Sequence, residues 1–109
     1  MRIFAGLLLA CLSFWSVGAH AEDASVSIAI KNNKFEPEEL HVPARQKVVI
    51  HVDNQDATPE EFESSSLKVE KIVPGGTKGI VRIGPLVPGR YSFFGDFHQD
   101  SANGVVIAE

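Results

Sequence analysis

From Ser25 onward the chain alternates polar and apolar residues with the two-residue period of half-buried strands. Ser25-Val26-Ser27-Ile28-Ala29-Ile30 shows it most clearly, with one face for a core and one for water. Lys31-Asn32-Asn33-Lys34 is a polar turn, and Phe35-Glu36-Pro37-Glu38-Glu39-Leu40 leads into a short extended piece that ends at Pro43. The β-branched run Lys47-Val48-Val49-Ile50-His51-Val52 predicts the next strand. Asp53-Asn54-Gln55-Asp56-Ala57-Thr58-Pro59 is a loop by composition, because Pro59 pushes its predecessor out of the helical region. A short strand over Glu60-Glu61-Phe62-Glu63 follows, then an extended piece from Leu67 to Val73, the turn Pro74-Gly75-Gly76 and a strand from Thr77 to Ile83. The turn Pro85-Leu86-Val87-Pro88-Gly89-Arg90 brings the chain into Tyr91. There an aromatic strand runs into a polar loop carrying His98, and Val105-Val106-Ile107 forms a last short apolar strand.

Short strands punctuated by Gly and Pro turns predict an all-β sandwich or barrel rather than a parallel sheet. No helical periodicity of useful length interrupts them. Without internal repeats, low-complexity tracts or a linker, the pattern predicts a single small domain.

The first residues follow a different pattern. Met1-Arg2 is a positive start, the run from Ile3 to Val17 is almost wholly apolar, and Ala19-His20-Ala21 is a small-x-small cleavage signal. These predict a signal peptide over 1–21, a domain over 22–109 and a periplasmic location. The apolar run is shorter than the ~20 residues of a comfortable membrane span. Leu8-Leu9-Ala10-Cys11 offers a second reading, a lipoprotein acylated at Cys11, against which the apolar run continues beyond the cysteine.

Removing the leader changes the composition, because the one Cys, one Met and one Trp of the chain are Cys11, Met1 and Trp15. The mature domain then has no disulfide and neither of the sulfur ligands of a blue-copper site. The net charge is −4, with no cluster of Lys or Arg, which argues against nucleic acid and anionic membrane surfaces as partners.

The stretch Tyr91 to Gly104 resembles the metal-loop end of a cupredoxin. In that family a tyrosine-led strand is followed by a Cys, a His three residues later, a Met and a glycine before the last strand. The matching positions here are Tyr91, Gly95, His98, Asn103 and Gly104, and the family's other His, after a proline, falls on Glu60 behind Pro59. Phe35-x-Pro37, Val42-Pro43-Ala44, Asn54 and Pro88-Gly89-x-Tyr91 fit the same pattern. The resemblance implies a cupredoxin-like Greek-key β-sandwich with only one of its four ligand positions retained.

Glu60 shares a face with Phe62, and Asp96 and His98 stand two apart in a loop read as extended. A carboxylate and imidazole metal site of Glu60, Asp96 and His98, joined by Glu61, is therefore expected. Such donors suit iron, manganese, zinc or Cu(II), and the expected cofactor is a copper or iron ion without a type 1 blue-copper centre. Glu61-Phe62-Glu63, Glu70-Lys71-Ile72-Val73-Pro74-Gly75 and Gly95-Asp96-Phe97-His98 also look like the periplasmic cupredoxin modules of bacterial high-affinity iron-permease systems. That resemblance implies assistance to ferrous iron oxidation or delivery, with a membrane iron permease or a periplasmic iron-binding protein as partner. It also makes Glu61, Glu63 and Glu70 candidate metal contacts.

Other readings of the same residues stand beside these. Glu60, Glu61 and Glu63 also fit a solvated acidic edge that discourages strand-to-strand aggregation, and Asp96 a turn cap. Phe94 and Phe97 fit an apolar collar or simple packing, and His41 and His51 read as structural or exposed. The alternative function is a metal-free interaction module of a periplasmic assembly. No nucleophile-and-base constellation for an enzyme acting alone is visible.

Overall fold

In a computed structural model, residues 23–109 are described; the expected leader, with Cys11 and the cleavage signal, lies outside them. The described residues form strands β1 (Ala24–Lys31), β2 (Lys34–Glu36), β3 (Glu39–Val42), β4 (Val48–Asn54), β5 (Glu60–Ser64), β6 (Val69–Val73), β7 (Lys78–Ile83), β8 (Gly89–Gly95) and β9 (Asn103–Ala108), with one 3-10 turn, η1 (Asp96–His98), between the last two. They make two sheets, ordered β2-β1-β4-β7 and β3-β9-β8-β5-β6. Two parallel pairs, β1 with β4 and β3 with β9, stand among otherwise antiparallel neighbours. Among the described residues no helix is long and apolar enough to cross a membrane.

The alternation in the sequence is what builds the core. Ile28 and Ile30 of β1 and Val48, Ile50 and Val52 of β4 point inward from one sheet, and Phe62, Phe93 and Val106 from the other. Phe35 joins the layers: its ring meets Phe62 and Phe93 edge-on at 5.8 and 5.1 Å, while those two stack at 4.7 Å. These are the offset and T-shaped contacts that the ring quadrupoles favour.

The piece read from Phe35 to Leu40 as one extended run is two strands in different sheets. Pro37 lacks an N–H for a continued ladder; the chain leaves the first sheet after Glu36 and enters the second at Glu39. Gly104 is required where β9 starts, since a Cβ there would stand 2.3 Å from Phe93 and 2.7 Å from the Glu38 carbonyl oxygen.

Because Phe93 is 1% exposed and central to the ring cluster, Phe93→Ala is expected to cost about 3–5 kcal/mol. Ile72 is 52% exposed, and Ile72→Ala is expected to change stability by less than about 0.5 kcal/mol. Urea unfolding of the two variants checks the contrast.

Candidate metal site

The site begins with the loop before β5. Asn54 is fully buried, and its side-chain amide donates to the carbonyls of Thr58 (2.9 Å) and Val73 (3.0 Å) while its Oδ1 accepts from the Asp56 N–H (3.1 Å). This braces the loop on both sides. It sets where β5 starts and so which way Glu60 faces.

Along β5 the side chains alternate, with Glu60, Phe62 and Ser64 buried and Glu61 and Glu63 half-buried on the outer face. Glu60 is 1% exposed. Its Oε1 accepts from the backbone N–H of Glu61 (3.1 Å) and of Phe97 (3.0 Å), and its Oε2 lies 2.5 Å from His98 Nδ1. A buried carboxyl group needs such partners, and here Oε1 has two and Oε2 one. The loop that brings His98 there is itself closed by backbone bonds, from Ala102 N to His98 O (2.8 Å) and from Gly95 N to Ala102 O (2.9 Å).

The structure does not assemble the expected four-residue cluster. Glu60 and His98 meet, but Glu61 follows Glu60 on a strand and must point to the opposite face. Asp96 is separated for another reason: residues 96–98 form a tight 3-10 turn rather than an extended loop. At about three residues per turn, positions two apart diverge. Asp96 Oδ1 instead accepts from Gln99 Nε2 at 2.8 Å, and its charge acts on Glu63.

A different group forms on the outer face. Glu63 of β5 stands directly opposite Glu70 of β6, and Glu61, Glu63 and Glu70 each present a carboxylate oxygen within 4.8 Å of the others. Beside them is a shallow depression of about 340 Å³ lined by Glu63, Ser64, Ser65, Lys68, Val69 and Glu70. Desolvation, with hydrogen bonding to Glu61 and repulsion from Asp96, Glu70 and Glu61, pushes the Glu63 carboxyl up to about 7. Glu63 and Glu70 were candidates by resemblance alone; the signal that pairs them is the register across the turn from Ser64 to Val69.

The other histidines lie elsewhere. His41 on β3 bridges Glu39 and Glu109, with both contacts 2.8 Å long, and these partners raise its pKa. His51 Nε2 is 2.8 Å from Ser25 Oγ.

Residues 4–108 match the family described as Cupredoxin-like domain. The chain belongs to that family. An uncharacterized protein of Rickettsia prowazekii (strain Madrid E) is 38% identical to this cupredoxin-like chain over 112 residues, covering 93% of it and 90% of the relative. Among solved structures, auracyanin A, a "blue" copper protein from the green thermophilic photosynthetic bacterium Chloroflexus aurantiacus, superposes with a TM-score of 0.67 at 15% identity, over 81% of this chain and 100% of that one. A purple cupredoxin from Nitrosopumilus maritimus gives a TM-score of 0.60 at 20% identity, over 80% and 100% of the two chains. At these identities the likeness is one of fold.

The described residues do not fit a thiolate-copper centre. A Cβ on Gly95 would stand 2.6 Å from Glu60 Cδ and 2.8 Å from the Ala102 Cβ. Asn103 is exposed and donates its amide to the Gln99 carbonyl at 3.1 Å. Imidazole and carboxylate are the donors that remain near this end of the sandwich.

The raised Glu63 pKa has a definite sign. The folded state holds this proton more tightly than the unfolded chain, so its contribution to stability is full below about 4.5 and lost as pH rises through about 7. Glu63→Gln is expected to flatten the fall in stability across that window, as measured by denaturant midpoints at a series of pH values.

Proposed function

We propose that this cupredoxin-like protein is a periplasmic metal-binding module that takes up iron or copper as a hard ion on its outward carboxylates. In this reading it handles ferrous iron ahead of a membrane iron permease, by delivering the ion or assisting its oxidation. The observation that carries the reading is the outer group, with Glu61, Glu63 and Glu70 offering oxygens within 4.8 Å of one another. Three carboxylates at that spacing repel one another, and a cation relieves the repulsion. Oxygen donors favour hard and borderline divalent ions over Cu(I).

Glu61, Glu63 and Glu70 would hold the ion, and Asp96 adds negative charge beside Glu63. A bound ion would neutralise the cluster and polarise what it contacts. The proton on Glu63 competes with it, so affinity rises as pH passes through about 7. Export by the leader would put the module in the compartment where a permease collects its substrate.

A second reading, a metal-free interaction module, is favoured by one observation: the end of the sandwich where the family holds its metal is occupied by the Glu60–His98 pair. Titration calorimetry separates the two. Purified protein is expected to bind Mn(II), or Fe(II) under anaerobic conditions, saturably and near one ion per chain. Glu63→Gln should weaken binding roughly tenfold or more, on the scale of losing a metal-site partner, and His98→Ala should leave it nearly unchanged. Absence of saturable binding by the wild type would transfer the protein to the second reading.

A further inference from the structure

We infer that the metal end of this sandwich is closed by the chain itself. The Glu60–His98 contact supplies a cross-link between β5 and the loop after β8, and Gly95 is glycine because the Glu60 carboxylate, with the Ala102 Cβ beside it, occupies the space a side chain there would need. The inference stands apart from the proposed metal uptake on the outer face, since it requires no ion at all.

Several observations converge on it. A Cβ built on Gly95 meets the carboxylate, with Glu60 Cδ at 2.6 Å and Oε1 at 2.7 Å. Those atoms cannot give way as a surface side chain would, because Glu60 is 1% exposed and held by the N–H groups of Glu61 and Phe97 and by His98 Nδ1. The glycine and the buried acid are thus one feature. The contact joins residues 38 apart in the chain. His98 spends on Glu60 the nitrogen that faces the interior, and its side chain is 25% exposed.

The chemistry of the pair explains why it holds. A carboxylate this deep is costly unless paired, and removing either partner leaves a buried group uncompensated. With the pair in place the family's ligand positions offer no thiolate, no thioether and no gap between acid and imidazole. Among the described residues a soft ion finds no sulfur donor at this end.

The coupling between Gly95 and Glu60 is directly measurable by urea unfolding of the purified protein. Gly95→Ala is expected to lower the folding equilibrium constant by roughly tenfold or more, as overpacking does. In a Glu60→Ala background the same change should cost less, the remaining loss coming from contact with the Ala102 Cβ; equal losses in the two backgrounds overturn the inference. His98→Ala should lower the folding equilibrium constant on the order of a hundredfold, and a loss of only a few-fold would show that the pair is no cross-link.

Copper loading gives a spectroscopic arm. Gly95→Cys alone should give no intense Cu(II)–thiolate absorption band, because the carboxylate blocks the sulfur. Glu60→His combined with Gly95→Cys removes the carboxylate and presents one thiolate with two imidazoles, a set that gives blue-copper colour, so the band should appear. A band of equal intensity in the single variant overturns the inference, as does a folded double variant that stays colourless. Should the double variant fail to fold, the Gly95→Ala comparison decides the matter by itself.

Discussion

Burying a carboxyl group is unfavourable for a small protein unless its oxygens find partners, and this one does it at the end of its sandwich. Glu60 is tolerable there because partners from separate places converge on it: the backbone N–H groups of its own neighbour in β5 and of Phe97, and the His98 imidazole. Much of the surrounding architecture serves that convergence. Asn54 positions the start of β5, the η1 turn aims a backbone N–H and an imidazole at one point, and Gly95 keeps the intervening space free of side-chain atoms.

The same strand holds a second population of acids in an opposite condition. Glu61 and Glu63 alternate with Glu60 and face outward, where Glu70 and Asp96 add like charge instead of relief. One residue of translation along a strand therefore separates an acid met by hydrogen-bond partners from one crowded by like charge. The cupredoxin-like framework is retained around both.

Much of this was legible from residue order. Period-two alternation located the strands, and the Tyr91-to-Gly104 spacing pointed to the family that the whole-chain match establishes. The approach of Glu60 to His98 could be anticipated, since both sit at ligand positions of that fold. Three things were hidden. Pro37 divides a single extended piece between two sheets, and nothing local says which sheet receives each half. The 3-10 turn at Asp96–His98 carries no composition signal strong enough to distinguish it from an extended loop, and only the turn shows that Asp96 and His98 diverge. The opposition of Glu63 and Glu70 depends on strand register, which the spacing of acids alone does not reveal.

The order of strands in the larger sheet bears on how the domain comes to be folded. β9 lies between β3 and β8, and its pairing sets Leu40 beside Val106. A β3 released early in synthesis has no neighbour in its sheet until that distant segment arrives. Contacts of such long range make closure slow compared with locally wired folds. A chain so arranged can complete its larger sheet only once its last strand is present.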